Sequence, residues 1–182
     1  MSLRDRIAPA LQDLVAGPME KKPFIQEGRR KLLAPAQGRV LEVGAGTGFN
    51  ARYYPEGVGD VTLTDELGGM LRRAERRADE AGRRVETVTA PVERLPFEDE
   101  SFDTVVGSLL LCSVDDQDAA LAEIRRVLKP GGRYLFLSPG LSHVFSNTLQ
   151  AYVFYQQPLV RHVNGVQLTA NRSIMLGISG HL

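Results

Sequence analysis

The segment Arg39–Phe49, RVLEVGAGTGF, constrains the fold of this chain more than any other stretch. Its first half is an apolar run, which predicts a buried strand, and its second half alternates glycine with other residues, which predicts a tight turn. Because glycine has no Cβ, a ligand can lie against the main chain at Gly44 and Gly46, where any side chain would collide with it. Glu42 adds a carboxylate at the same place. The pattern indicates an α/β protein with a cofactor site, although such a turn also occurs in α/β proteins that bind no cofactor.

The spacing of the glycines separates two classes of cofactor. A dinucleotide fingerprint has the form G-x-G-x-x-G and leaves room for a pyrophosphate at a helix N-terminus. Here the glycines stand at positions 44, 46 and 48, so the third comes one residue early, and Phe49 stands where that fingerprint has glycine. The spacing therefore disfavours a nicotinamide dinucleotide.

The composition is that of a single globular domain. The 182 residues are 43% hydrophobic and 24% charged, and Lys plus Arg and Asp plus Glu each total 22, which gives a formal net charge of zero. Bulk electrostatics thus supply no general attraction for acidic membranes or nucleic acid, and no nucleic-acid partner is expected. Charged residues interrupt the segment MSLRDRIAPALQDL, and no apolar run is long enough for an integral membrane segment, so a cytoplasmic protein is expected.

Residue types that bind metals or act as nucleophiles are sparse. Cys112 is the single cysteine, and the three histidines are scattered at positions 143, 162 and 181. We therefore expect no disulfide and no metal site. Since no histidine lies near Cys112 in the sequence, a small buried thiol is favoured there over a catalytic nucleophile.

A second acidic residue ends the next predicted strand. Residues 61–64 are apolar or β-branched, and Asp65 follows them directly. A carboxylate at the end of the second strand of a nucleotide-binding α/β unit is placed to accept hydrogen bonds from ribose hydroxyls. The alternative is a helix N-cap, because Asp65 precedes a helical pattern that runs to about Ala81.

Three segments resemble the class I S-adenosylmethionine-dependent methyltransferases. The glycine segment has the form E-x-G-x-G-x-G of their first motif, APVERLPFEDESFD resembles their stretch G-D-A-E-x-L-P-F-x-D-x-S-F-D, and LAEIRRVLKPGGRYLFL resembles the segment that forms their fifth strand. The resemblance spans about Leu32–Leu137 and is to the type 11, UbiE-like members. The segment LCSV and the C-terminal stretch resemble the branch with thiol and phospholipid N-methyltransferases.

The resemblance implies a fold and an activity. The fold is α/β, a Rossmann-like, doubly wound, mostly parallel sheet with helices on both faces. The activity is direct SN2 transfer of a methyl group from S-adenosylmethionine to a small-molecule or lipid acceptor. LLLCSV stands where amine-directed relatives carry N-P-P-Y, which argues against DNA adenine methylation. An alternative from another class is a protein that binds the cofactor without turnover, as a regulator or as a subunit of a heteromeric enzyme.

The resemblance also places the cofactor. The residues expected to bind it are Glu42, Gly44, Ala45, Gly46 and Gly48 at the methionine end, Asp65, Glu66 and Met70 on the ribose side, Val92 and Glu93 on the adenine side, and Leu110 after the fourth strand. Many relatives have aspartate where this chain has Pro91, which offers neither a carboxylate nor a backbone donor. Residues 110–114 are expected to border the transferred methyl group. No catalytic residue is assigned, because proximity and desolvation can suffice for such a transfer.

The sequence pattern divides the chain into three segments. We expect one domain overall, with an N-terminal helical cap at residues 1–37, the S-adenosylmethionine-binding core at 38–140, and a C-terminal acceptor, lid or oligomerisation segment at 141–182. The cap is predicted as two helices broken at Gly17 and Pro18, which either pack on the sheet edge or close the pocket. A helix is predicted over residues 144–163. Part of the family's C-terminal strand hairpin is not found in the sequence, so a homodimer that completes the sheet edge is a hypothesis.

Overall fold

The described part of the chain begins with two helices and continues as a series of strands and helices. The structure, a computed structural model, describes residues 3–108, 110, 114–137, 141–146, 149–156 and 173–180, the last three ranges as backbone only. The elements are α1 (Leu3–Glu20), α2 (Pro23–Leu33), β1 (Val40–Val43), a 3-10 turn (Ala51–Tyr53), β2 (Val61–Asp65), α3 (Gly68–Glu80), β3 (Val85–Thr89), β4 (Phe102–Ser108), α4 (Gln117–Val127), β5 (Leu128–Leu137), β6 (Leu141–Ser146), β7 (Leu149–Gln156) and β8 (Ser173–Gly180).

Five strands form a parallel sheet in the order β3-β2-β1-β4-β5. The chain moves outward from β1 to β3 and then returns to the other side of β1 for β4. This reversal creates a crevice beside the carboxyl end of β1, which is where ligands bind in open α/β sheets. The sheet confirms the predicted Rossmann-like, doubly wound fold, and none of its five described strands is antiparallel to its neighbour.

Alternate residues of β1 pack on opposite faces of the sheet. Leu41 and Val43 join a buried cluster with Ile124 of α4, whereas Val40 joins a second cluster with Leu33 of α2 and with residues of α3. All four residues of β1 are buried. Parallel strands that are covered on both faces have continuous apolar sequences, which is why the sequence pattern identified this strand.

The N-terminal helices break at a different place from the one predicted. α1 continues through Gly17 and Pro18, and the break comes just before Pro23, which lies in the first turn of α2, where proline is favoured. The apolar residues of α1 are also not buried, since their exposed fractions range from 53% to 73% at Leu3, Ile7, Leu11, Leu14 and Val15. The opposite face of α1 packs on α3, so closely that a Cβ added to Gly69 would lie 1.9 Å from the carbonyl oxygen of Asp5.

The helix predicted over residues 144–163 is wrong for the part that the structure describes. Residues 144–146 lie in β6 and residues 149–156 form β7, which pairs antiparallel with both β6 and β8. The run Tyr152–Tyr155 is aromatic and β-branched, a composition that favours strands over helices. Residues 157–163 lie outside the described residues. The short strand expected within residues 174–178 is part of β8.

Candidate functional site

A cavity of about 800 Å³ lies at the carboxyl ends of β1, β2 and β4. Its walls are the glycine turn after β1, the segment from the end of β2 into α3, residues 90–93 after β3, Ser108, Leu110 and residues 114–116 at and after the end of β4, and the inner face of α1. This volume falls within the range of small-molecule and cofactor sites. The cavity therefore occupies the position at which a doubly wound sheet binds its ligand.

The residues predicted to bind a cofactor converge on this cavity, with one exception. All of them except Gly48 line it. Gly48 instead faces α3, because a Cβ added there would lie 2.6 Å from the Cα atom of Ala74. In the structure the missing Cβ of Gly48 lets the turn pack against α3, and a role of Gly48 in shaping the cofactor site stays a prediction.

The glycine turn requires glycine for its backbone and for its space. Gly44 and Gly46 have φ values of 62° and 55°, in the left-handed region that side chains disfavour. A Cβ on Gly44 would lie 2.5 Å from Cδ1 of Leu110, and one on Gly46 would lie 2.7 Å from Nε2 of Gln12. The turn thereby presents bare main chain to the cavity.

Asp65 joins the end of β2 to the glycine turn. Its Oδ2 accepts a hydrogen bond from the backbone N–H of Gly46 at 3.0 Å, and its Oδ1 accepts one from the N–H of Leu67 at 2.9 Å. Burial raises the pKa of Asp65, and the two backbone hydrogen bonds oppose this rise. The N-cap of α3 is Leu67 rather than Asp65. Each carboxylate oxygen keeps a further lone pair, which a ligand hydroxyl in the cavity can use.

Glu42 is a buried carboxylate on the cavity floor. Its Oε1 accepts a hydrogen bond from Nδ2 of Asn50 at 2.8 Å, and its Oε2 accepts one from the Tyr54 hydroxyl at 2.7 Å. Burial raises the pKa of Glu42, and these two hydrogen bonds offset only part of the rise. Both oxygens of Glu42 are therefore engaged within the fold.

Asn50 links Glu42 to the N-terminal helices. Its Oδ1 accepts a hydrogen bond from Nη1 of Arg29 at 2.5 Å, and its Nδ2 also donates to Oγ of Ser108 at 2.8 Å. Arg29 in turn binds both carboxylate oxygens of Glu20, at 2.5 and 2.8 Å. A continuous chain of hydrogen bonds thus runs from the end of α1 to the centre of the sheet. Sequence reasoning missed Arg29 and Asn50, because neither belongs to a motif.

The inner face of α1 closes the cavity over the glycine turn. Oε1 of Gln12 accepts a hydrogen bond from the Thr47 N–H at 3.0 Å. Oδ1 of Asp13 accepts from the Thr47 hydroxyl at 2.8 Å and from Nη2 of Arg77 at 2.9 Å, while its Oδ2 pairs with Arg73. Burial alone would raise the pKa of Asp13, but these hydrogen bonds together lower it. No sequence pattern marked Gln12 or Asp13 as residues of the site.

Carboxylates outnumber cationic groups around the cavity. The acidic lining residues are Glu20, Glu42, Asp65, Glu66, Glu93, Asp115 and Asp116. The basic lining residues are Arg4 and Arg29, and they are paired with Glu66 and Glu20. The site therefore favours a ligand that carries positive charge. Within the part of the chain that the structure describes, no group of three His, Cys, Asp or Glu is arranged to hold a metal ion.

The adenine and methyl sides of the predicted site are described in part. Pro91, Val92 and Glu93 lie together on the cavity wall, and Leu110 and Val114 line it from the β4 side. Residues 111–113, with Cys112, lie outside the described residues, as do the side chains of the three histidines. Among the described residues, no helix has the length and apolar composition needed to cross a bilayer.

The chain is similar to known proteins of one family. Residues 41–136 match the family model described as a methyltransferase domain. The chain is 34% identical over 165 residues to the ubiquinone/menaquinone biosynthesis C-methyltransferase UbiE of Desulfotalea psychrophila. The aligned residues make up 85% of this chain and 64% of that protein. A second curated UbiE relative is covered over 46% of its length, so the chain spans about half to two thirds of these relatives.

Solved structures of similar proteins share the core of the fold. The YcgJ protein from Bacillus subtilis is 30% identical with a TM-score of 0.57, over 62% of this chain and 50% of that one. The [4+2]-cyclase SpnF is 26% identical with a TM-score of 0.58, over 77% of this chain and 57% of that one.

Proposed function

Because the chain belongs to the class I S-adenosylmethionine-dependent methyltransferase family, we propose that it transfers a methyl group from S-adenosylmethionine to a small-molecule or lipid acceptor. The observation that carries this proposal is the convergence of the motif residues on one cavity at the carboxyl ends of the central strands. A relative that is named for ubiquinone and menaquinone biosynthesis favours an acceptor of the quinone class.

The residues around the cavity fit this cofactor. S-adenosylmethionine carries a positive sulfonium, and the excess of carboxylates in the lining complements that charge. The bare main chain at Gly44 and Gly46 leaves room for the methionine end, and the spare lone pairs of Asp65 suit the ribose hydroxyls. Val92 and Glu93 are the residues proposed for the adenine side.

The reaction proposed is a single displacement. When bound, the cofactor would supply an electrophilic methyl carbon: an electron pair of the acceptor would form the new bond to it, the carbon–sulfur electron pair would stay on sulfur, and a proton of the acceptor would leave to water or a base. The side chains bind and orient the two reactants, and α1 excludes water from above the turn. Glu42 acts as a positioning residue, because both its oxygens already accept hydrogen bonds from Asn50 and Tyr54.

Cofactor binding is tested by calorimetry on an Asp65→Ala variant. We expect the affinity for S-adenosylmethionine to fall at least tenfold, because the variant loses about one hydrogen bond to a charged group. Asp60→Ala is the matched control, since Asp60 is an exposed residue just before the opposite end of β2. Unchanged affinity in Asp65→Ala would show that the ribose lies elsewhere.

A second candidate function is binding of the cofactor without methyl transfer, as a regulator or as one subunit of a heteromeric enzyme. Two observations favour it: Pro91 lines the cavity without offering a donor, and a [4+2]-cyclase shares the fold. A screen for methyl transfer to thiols, amines, phenols and quinone precursors separates the two functions. Binding without transfer to any of them would support the second.

We also propose that the chain forms a homodimer and that its three segments have different roles. β5 pairs only with β4 among the described strands, and an unpaired edge invites a second chain. In this proposal residues 1–37 cap the site, residues 38–140 bind the cofactor, and residues 141–182 serve the acceptor or the dimer. A monomeric mass by light scattering over a wide concentration range would rule out the dimer.

A further inference from the structure

The outer face of α1 is apolar and exposed. Its large side chains recur every three or four residues, and their exposed fractions range from 48% at Met19 to 73% at Leu14. Phe24, at the start of α2, is 65% exposed. Every large hydrophobic side chain that is exposed in the described part of the chain lies within residues 3–24. An apolar patch concentrated in this way marks an interaction surface.

The charges beside this patch are of one sign. The exposed charged residues within 3–24 are all basic: Arg4, which pairs with Glu66 at the cavity, and Arg6, Lys21 and Lys22, whereas Asp5 is half-buried. The acidic residues Asp13 and Glu20 turn inward, where they pair with arginines of α3 and α2. Although the whole chain has a formal net charge of zero, this surface is therefore locally cationic.

We propose that the outer face of α1, together with Phe24 and the adjoining Lys21 and Lys22, docks on an anionic lipid surface. A helix with one apolar face and basic residues beside it lies in the membrane interface, where lipid headgroups neutralise the positive charge. A second copy of the chain fits less well, because pairing two such faces would bring like charges together.

Docking would bring the cavity close to the lipid. The inner face of α1 lines the cavity, so only the thickness of one helix, about 10 Å, separates the cavity from the docked surface. An acceptor dissolved in the membrane would then have a short path to the site. Docking itself does not depend on methyl transfer, and it is measured without cofactor, so it can fail or succeed independently of the proposed function.

The test is co-sedimentation of the full chain with phosphatidylcholine vesicles, with and without phosphatidylglycerol. We expect binding only to the anionic vesicles. Leu14→Glu should weaken it about tenfold, since a largely exposed leucine no longer enters the apolar layer. Lys21→Glu with Lys22→Glu should weaken it about 25-fold, at about fivefold for each basic residue.

The matched control is Arg76→Glu with Arg84→Glu, which makes the same change in charge at exposed positions on and after α3. We expect this control to bind anionic vesicles as the wild type does. Circular dichroism tests whether each variant is folded. We expect all of them to fold, because the mutated side chains are exposed.

Three outcomes would overturn the proposal. The first is a wild-type chain that does not bind anionic vesicles. The second is an equal loss of binding in the α3 control, which would assign the effect to net charge. The third is a concentration-dependent dimer that Leu14→Glu dissociates, without vesicle binding, which would make a second copy the occupant of this face.

Discussion

Replacing Gly48 with alanine separates packing of the glycine turn from binding of the ligand. Gly48 has a φ of 84°, and its added Cβ would lie 2.6 Å from Cα and 2.8 Å from Cβ of Ala74. The obstacle is the main chain of α3, which cannot rotate away as a side chain can. The left-handed conformation costs an alanine about 1–2 kcal/mol, and overpacking costs about 1–3 kcal/mol more. We therefore expect the free energy of unfolding to fall by about 2–5 kcal/mol.

Urea unfolding followed by circular dichroism measures this loss, with the m-value expected to stay unchanged. Gly57→Ala is the matched control, because a Cβ at Gly57 meets nothing within 4 Å and its backbone is not left-handed. We expect the control to change stability by less than about 0.5 kcal/mol.

Gly44→Ala provides the opposite case. Its Cβ meets the end of the Leu110 side chain, which can move, so we expect a loss of only about 1–2 kcal/mol from backbone strain. The same Cβ enters the cavity, so calorimetry should show a larger loss of S-adenosylmethionine affinity than in Gly48→Ala. A Gly48→Ala protein with wild-type stability and no cofactor binding would refute the packing role and return Gly48 to the binding site.

Three further substitutions test the site and the core. Arg29→Met leaves the part-buried carboxylate of Glu20 unpaired, and we expect urea unfolding to show a loss of about 3 kcal/mol, against less than about 0.5 kcal/mol for the exposed Arg30→Met. The fold lowers the pKa of Asp13, so its carboxylate stabilises the protein above its ordinary pKa, and this stabilisation is lost as the pH falls through the folded pKa. The difference in free energy of unfolding between wild type and Asp13→Asn should therefore shrink below about pH 4. A difference that stays constant with pH would contradict this. Phe102→Ala leaves a cavity at a fully buried position, and we expect the free energy of unfolding to fall by about 3–5 kcal/mol. A loss of less than about 1 kcal/mol would mean that neighbouring side chains fill the cavity.

The parallel core and most of the site could be predicted because the signals are local. β1 is buried on both faces, so its sequence is continuously apolar apart from Glu42, and the left-handed turn that follows it demands glycine at Gly44 and Gly46. Asp65 ends the neighbouring strand β2, and parallel pairing of β1 with β2 brings the two carboxyl ends to one edge. Element pattern and strand direction together therefore place the cavity.

The errors occurred where a local pattern permits more than one structure. Residues 144–156 are apolar enough for a helix, but residues 144–146 lie in β6 and residues 149–156 form β7, which pairs with β6. Gly48 belongs to the same alternating motif as Gly44, and only the tertiary structure shows that it faces α3 whereas Gly44 faces the cavity. Arg29 and Asn50 join the site through hydrogen bonds between separate elements, so no spacing marks them.

The sequence by itself determined where the core strands lie along the chain, the glycine turn and the carboxylates at the strand ends, because each depends on residues that are close along the chain. Only the tertiary structure decided which face of α1 meets the site. The apolar face of α1 lies outside, and the polar face packs inward, since Gln12 and Asp13 form their hydrogen bonds and ion pairs with Thr47, Arg73 and Arg77. An amphipathic pattern predicts that a helix has an apolar and a polar face, but contacts with residues distant in the sequence determine which face is buried.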